Sequence, residues 1–119
     1  MGLAAVRGAI QIEADTPELI QQGVSRLMEA VFSKNRIEPH QVVSVFFSQT
    51  ADLHTFNPAT ASRMAGYCDF PYFCLQELDV HGSLARTIRV LIHVEGINRG
   101  DVTSVYLDGA KQLRPDLGE

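Results

Sequence analysis

Apolar positions recur along this chain with two different periods. From Leu3 to Ile12 a run of small and branched residues predicts a strand, which ends at Glu13-Ala14-Asp15. Thr16-Pro17-Glu18 then has the form of a helix start, with Thr16 as cap and Pro17 in the first turn. Ile20, Val24, Leu27, Met28 and Val31 follow at helical spacing to about Lys34, and Asn35 or the next turn closes the helix. Glu38-Pro39-His40-Gln41 predicts a turn or a short helical piece, and Val42 to Ser48 a second strand. Asn57-Pro58 opens a second helix over Ala59 to Ala65, stopped by Gly66. Pro71 to Leu75 is a third strand, Ile88 to Val94 the strongest one, and Val102 to Leu107 a short edge or final strand. Arg114-Pro115-Asp116 predicts a non-helical tail, because the residue before proline avoids the α region. About five strands and two helices make an α+β fold, a mixed sheet with helices packed on one face. The chain, residues 1–119, is expected to be one domain with a flexible tail from about residue 113.

The strand Ile88–Val94 directs attention to chemistry. Ile88, Val90, Ile92 and Val94 share one wholly apolar face, while Arg89, Leu91 and His93 point the other way. The first face is core; the second must line a cleft, an interface or solvent. Arg7 stands in a similar setting, in Ala5-Val6-Arg7-Gly8-Ala9, where Gly8 and the alanines leave room for something to approach the backbone. Such arginines are solvated, paired with an acid, or waiting for an anionic ligand. Glu77, just after the third strand, is the natural acid partner. A carboxylate beside two guanidinium groups keeps its charge and can accept a hydrogen bond from a ligand hydroxyl. A plain salt bridge is the competing reading.

Composition narrows the classes. Fourteen acids against ten bases give a formal charge of −4, which excludes a generally basic nucleic-acid surface. Eight of the ten bases are Arg, the side chain suited to planar carboxylates, and only Lys34 and Lys111 are Lys. No apolar run approaches the ~18 residues of a membrane span. The start Met1-Gly2-Leu3-Ala4-Ala5-Val6-Arg7 lacks the form of a signal peptide, so a soluble, cytoplasmic protein with reduced thiols is expected. Cys68 and Cys74 fit no zinc spacing, and Cys74, in an apolar strand, is expected to be small and buried, or to line a pocket. His40, His54, His81 and His93 lack close metal spacing, and Ser48, Ser62 and Ser83 lack a nucleophile-elbow context. No phosphate loop or dinucleotide fingerprint is present. An enzyme built from these residues is expected to use no metal, no cofactor and no covalent catalysis.

Several motifs in order resemble the bacterial trimeric chorismate mutases of the AroH class. They are Val6-Arg7-Gly8-Ala9-Ile10, Asp15-Thr16-Pro17-Glu18, Ala51-Asp52-Leu53-His54, Pro58-Ala59 with Arg63, Gln76-Glu77, Gly82-Ser83-Leu84, Ile88-Arg89-Val90, Val105-Tyr106-Leu107 and Leu113-Arg114-Pro115-Asp116-Leu117. The resemblance implies a homotrimeric pseudo-α/β-barrel with active sites between subunits, and the rearrangement of chorismate to prephenate in phenylalanine and tyrosine biosynthesis. It implies that Arg89 contacts the ether oxygen and a carboxylate, that Arg7 and Tyr106 bind carboxylates, and that Glu77, with Cys74 nearby, meets the ring hydroxyl. Arg63 would arrive from the adjacent subunit. Asn57, Ala59, Thr60, Tyr72 and Phe73 would form walls, and Leu113 and Arg114 would belong to a lid. The chain departs from the family's Phe-Pro-Ala-Lys stretch at Asn57 and Thr60, and the second change removes a cation at the site mouth. The segment Tyr67 to Pro71 is a residue shorter than in one relative, and Phe73 replaces a smaller side chain there. Two other classes compete: an enamine/imine deaminase of the RidA type, whose own Arg and Glu motif is not found here, and a non-catalytic module that binds a small carboxylate.

Overall fold

Thr16 caps the first helix with its hydroxyl, which accepts a hydrogen bond from the Leu19 amide at 3.2 Å. That helix, α1, spans Pro17–Asn35 in the computed structural model, which describes residues 2–113. It follows strand β1 (Leu3–Gln11) and precedes β2 (Val42–Gln49), α2 (Pro58–Met64), β3 (Tyr72–Gln76), β4 (Thr87–Glu95) and β5 (Val105–Leu107). Short 3-10 turns cover Pro39–Gln41, Arg99–Asp101 and Asp108–Gln112. The sheet runs β3-β2-β4-β1-β5. β4 is antiparallel to both neighbours, β3 is parallel to β2, and β5 is parallel to β1, so the sheet is mixed.

One face of this sheet carries the core. Val6, Ile10, Val45, Phe47, Ile88, Val90, Ile92 and Val94 meet Ile20, Val24, Leu27, Met28 and Val31 of α1, all buried. Both helices lie on this side. α2 is capped by Asn57, whose Oδ1 accepts from the amides of Ala59 and Thr60 at 2.8 and 3.1 Å, and it ends before Gly66 with its φ of 105°. No helix among the described residues is long and apolar enough to cross a membrane.

Three expectations change. The last strand is shorter than Val102–Leu107: the Thr103 amide and carbonyl bond to the Asn35 side chain at 2.6 and 3.0 Å instead of joining a ladder. The room that Gly8 leaves on its Cβ side is taken by α1; a Cβ there would stand 2.9 Å from Val31 Cγ2 and 3.1 Å from Leu27 Cδ1. Cys74 is exposed rather than buried, because β3 is an edge strand among the described residues, and it lines a small hollow, the other setting expected of it. The expected tail from Arg114 onward lies outside the described residues.

Candidate active site

The sheet's other face bears no α-helix among the described residues. Strand alternation puts Phe46 and Ser48 of β2, Arg89 and Leu91 of β4 and Arg7 of β1 on it. Register then sets neighbours. Ser48 stands opposite Arg89 on one side and Leu75 on the other, and Arg7 stands opposite Leu91. Arg7 and Arg89 are therefore diagonal neighbours, roughly 7–8 Å apart at the backbone. Together with Glu77 and Tyr106 they line a cleft of about 400 Å³, floored by Phe46, Leu75 and Leu91. That volume lies in the usual range for small-molecule sites.

Glu77 is held by the chain beyond β3. Its amide donates to Gln49 O at 2.9 Å, one step past the end of the strand. Its carboxylate accepts a short hydrogen bond from Ser48 Oγ at 2.5 Å and faces Arg89 Nε at 3.6 Å. The latter is an ion pair too long to be a hydrogen bond. Arg89 keeps 47% of its side-chain surface exposed. Among the described residues, neither Arg7 nor Arg89 donates a hydrogen bond to the protein, so both guanidinium groups are available to a ligand. Two cations against one carboxylate leave the cleft net positive. Tyr106, opposite Ala9 in β5, is only 5% exposed and packs with Ala9, Ala110 and Leu113 at the cleft's edge.

The other predicted residues gather elsewhere. Cys74 and Tyr72 point to the helix side of β3, in register with Phe47 and Val45. Cys74 Sγ lies 3.7 Å from Asn57 Oδ1, beside a smaller hollow of about 240 Å³. Arg63 stacks over the Tyr72 ring at 4.8 Å. Burial pushes the Tyr72 hydroxyl above its ordinary pKa, and that hydroxyl is engaged by Ser62 Oγ at 2.7 Å and the Tyr67 carbonyl. Ala59 is in the core and Thr60 is exposed. Phe73 shares the open face, edge-on to Phe46, and is 57% exposed. Within one chain the structure thus unites Arg7, Glu77, Arg89 and Tyr106. Asn57, Thr60, Arg63 and Cys74 stay on the far side of the sheet, and Arg114 lies outside the described residues. Sequence reasoning weighed Ser48 only as a nucleophile and missed it as the residue that orients Glu77. Its signal was alternation, which places Ser48 on the same face as Phe46.

Two guanidinium groups beside an accepting carboxylate suit a small anion that also carries a hydrogen-bond donor. A family model described as chorismate mutase type I matches residues 3–117. The chain is 39% identical over 119 residues to the chorismate mutase AroH of Bacillus subtilis (strain 168), covering 98% of this chain and 94% of that one. It is 40% identical over 114 residues to the chorismate mutase AroH of Thermus thermophilus, covering 94% and 93%. The solved structure of a chorismate mutase from Clostridium thermocellum superposes with a TM-score of 0.87 at 36% identity, covering 91% of this chain and 97% of that one. The chain belongs to the chorismate mutase type I family.

Proposed function

We propose that this protein rearranges chorismate to prephenate, and that the observation carrying this reading is the cleft itself: two guanidinium groups, neither hydrogen-bonded among the described residues, beside a carboxylate fixed by Ser48. Chorismate is a dianion with a ring hydroxyl and an ether oxygen. In its rearrangement the ether C–O bond breaks as a C–C bond forms, with no proton or electron exchanged with the protein. The protein must hold the compact conformer in which the bonding carbons meet, and stabilise the charge that develops on the ether oxygen. Glu77 accepts the hydroxyl hydrogen bond. Arg7 and Tyr106 bind carboxylate oxygens. Arg89 spans a carboxylate and the ether oxygen, and its contact strengthens as the bond stretches, which is what accelerates the step.

The protein works as a homotrimer in the cytoplasm, its 119 residues forming one domain. The exposed side chains Phe73, Leu75, Leu78 and Val80, on β3 and the chain that follows it, support burial of this edge against another copy. A neighbouring subunit then supplies Arg63, with Asn57, Ala59, Thr60, Tyr72, Phe73 and Cys74 as walls, and Leu113 borders the mouth beside Tyr106.

The test is turnover of chorismate, followed as loss of its ultraviolet absorbance, with Arg89→Lys alongside. Lys cannot reproduce a planar, two-pronged contact. Removing one such donor costs about 10²–10³ in kcat, so turnover should fall by that factor while KM moves far less. A folded wild-type protein that leaves chorismate unchanged overturns the reading. Chorismate binding that weakens in the variant, with turnover by neither protein, would favour a simple carboxylate-binding module.

A further inference from the structure

The proposed chemistry makes no use of α1, yet two of its side chains reach the segment that carries Tyr106. Near its end, Asn35 bonds both backbone groups of Thr103, two residues before β5. In its middle, Arg26 makes a two-pronged contact with Asp108, one residue after β5, at 2.8 and 3.2 Å. The spans agree. Nine residues of helix rise about 14 Å, and five residues of extended chain cover about 17 Å. α1 therefore brackets β5 from outside the sheet. The strand has need of it: it is three residues long, at the sheet edge, and paired with β1 alone.

The far bracket sits where the chain turns. Asp108 has a φ of 55°, the left-handed region that Asp and Asn enter more readily than most residues. Directly after it, Gly109 lies flush on the end of β1. A Cβ there would fall 1.7 Å from Gln11 Oε1. Ala110 then packs, fully buried, with Ala9 and Tyr106. The Arg26–Asp108 contact thus anchors the turn whose next residues form the support of Tyr106.

We propose that Arg26 is a positioning residue, whose grip on Asp108 sets the place of Tyr106 and Leu113 at the rim of the cleft. The proposal rests on the chorismate mutase reading for its effect on substrate. Both partners are about half exposed, at 55% and 47% of their side-chain surface. Such pairs add little to global stability, so the grip acts locally.

Arg26→Met, a helix-compatible change, tests this in the full-length protein by two readouts. The first is hydrogen exchange, which needs no substrate. Amides of residues 105–113 should exchange about fivefold faster or more, while β4 is unchanged. The second is kinetic. Tyr106 grips substrate and transition state alike, so KM should rise about three- to tenfold with kcat within about twofold, and Arg26→Lys should recover part of the loss. Unchanged exchange over 105–113 overturns the proposal. So does faster exchange with an unaltered KM, or a loss of kcat that tracks a large fall in Tm, which would mark a general structural role. Should the wild type fail to convert chorismate, the functional reading falls, and the substrate half of this proposal with it. The exchange experiment would still report whether Arg26 anchors the turn.

Discussion

Gly8 lies beneath the candidate site, and a single methyl there tests how β1 is held. It sits in β1 between Val90 of β4 and Val105 of β5, with its open side toward α1. An added Cβ would meet Val31 Cγ2 at 2.9 Å, Leu27 Cδ1 at 3.1 Å and Val90 Cγ1 at 3.2 Å, all from buried side chains. None of these can swing into solvent, so helix or strand must shift. Overpacking of this kind costs about 1–3 kcal/mol. Replacing glycine by alanine in a strand returns roughly 0.5–1 kcal/mol through the unfolded chain. The net loss for Gly8→Ala is then centred on about 1 kcal/mol, and at most about 2.5 kcal/mol. With an unfolding entropy near 250 cal/mol/K for a chain of this length, Tm should drop by roughly 5 °C, and by at most about 10 °C. Gly100 is the internal comparison: a Cβ there meets nothing within 4 Å, and Gly100→Ala should leave Tm unchanged or slightly raised. Thermal unfolding by circular dichroism, at one fixed protein concentration, measures both. If Gly8→Ala melts with or above the wild type, the packing argument is wrong. Should its Tm hold while KM for chorismate rises, Gly8 clears space for a ligand, as the sequence suggested.

Two further outcomes follow from the core and from the surface charges. Phe47 is fully buried and stacks on Tyr72 at 6.0 Å between ring centroids, so Phe47→Ala should cost about 3–5 kcal/mol in urea unfolding, and a loss below about 1 kcal/mol would contradict the packing. Asp108 is held below the usual carboxylate pKa by the Arg26 hydrogen bonds first, opposed by its partial burial and helped by the charges of Arg26 and Lys111. A carboxylate with a depressed folded pKa contributes stability above its unfolded value of about 3.9, and that contribution is lost as pH falls through the folded value. The stability difference between wild type and Asp108→Asn should therefore be constant near neutral pH and shrink below about pH 4; a difference that does not change with pH refutes this origin.

What the sequence made legible was whatever is local. Thr16-Pro17 and Asn57-Pro58 start helices because capping needs only a side-chain oxygen and the next three residues, and both caps are formed. Alternation in Ile88–Val94 separated core from cleft because a strand's two faces are an intrinsic property of its backbone. Arg7 and Arg89 stood out for the same reason, as charges in strands whose other face had to be buried. What escaped was set by the order of strands. Cys74 has the apolar neighbours of a buried residue, but β3 falls at the edge, and no periodicity encodes that. Val102 to Ser104 have a strand's composition, yet Asn35, 68 residues away, takes the backbone groups of Thr103.

Arg89 and Glu77 face one side of the sheet, while Cys74 and Tyr72 face the other, and strand pairing fixes that separation. No side-chain rotation carries Arg63 from its seat over Tyr72 through a packed sheet to the cleft. If both groups serve one substrate, as the family's pattern implies, they must come from different copies of the chain. On the proposed homotrimer, a version held monomeric should keep its fold and the Arg7–Glu77–Arg89–Tyr106 cleft by circular dichroism, yet show a raised KM for chorismate; an unchanged KM would refute a second copy's part in the site.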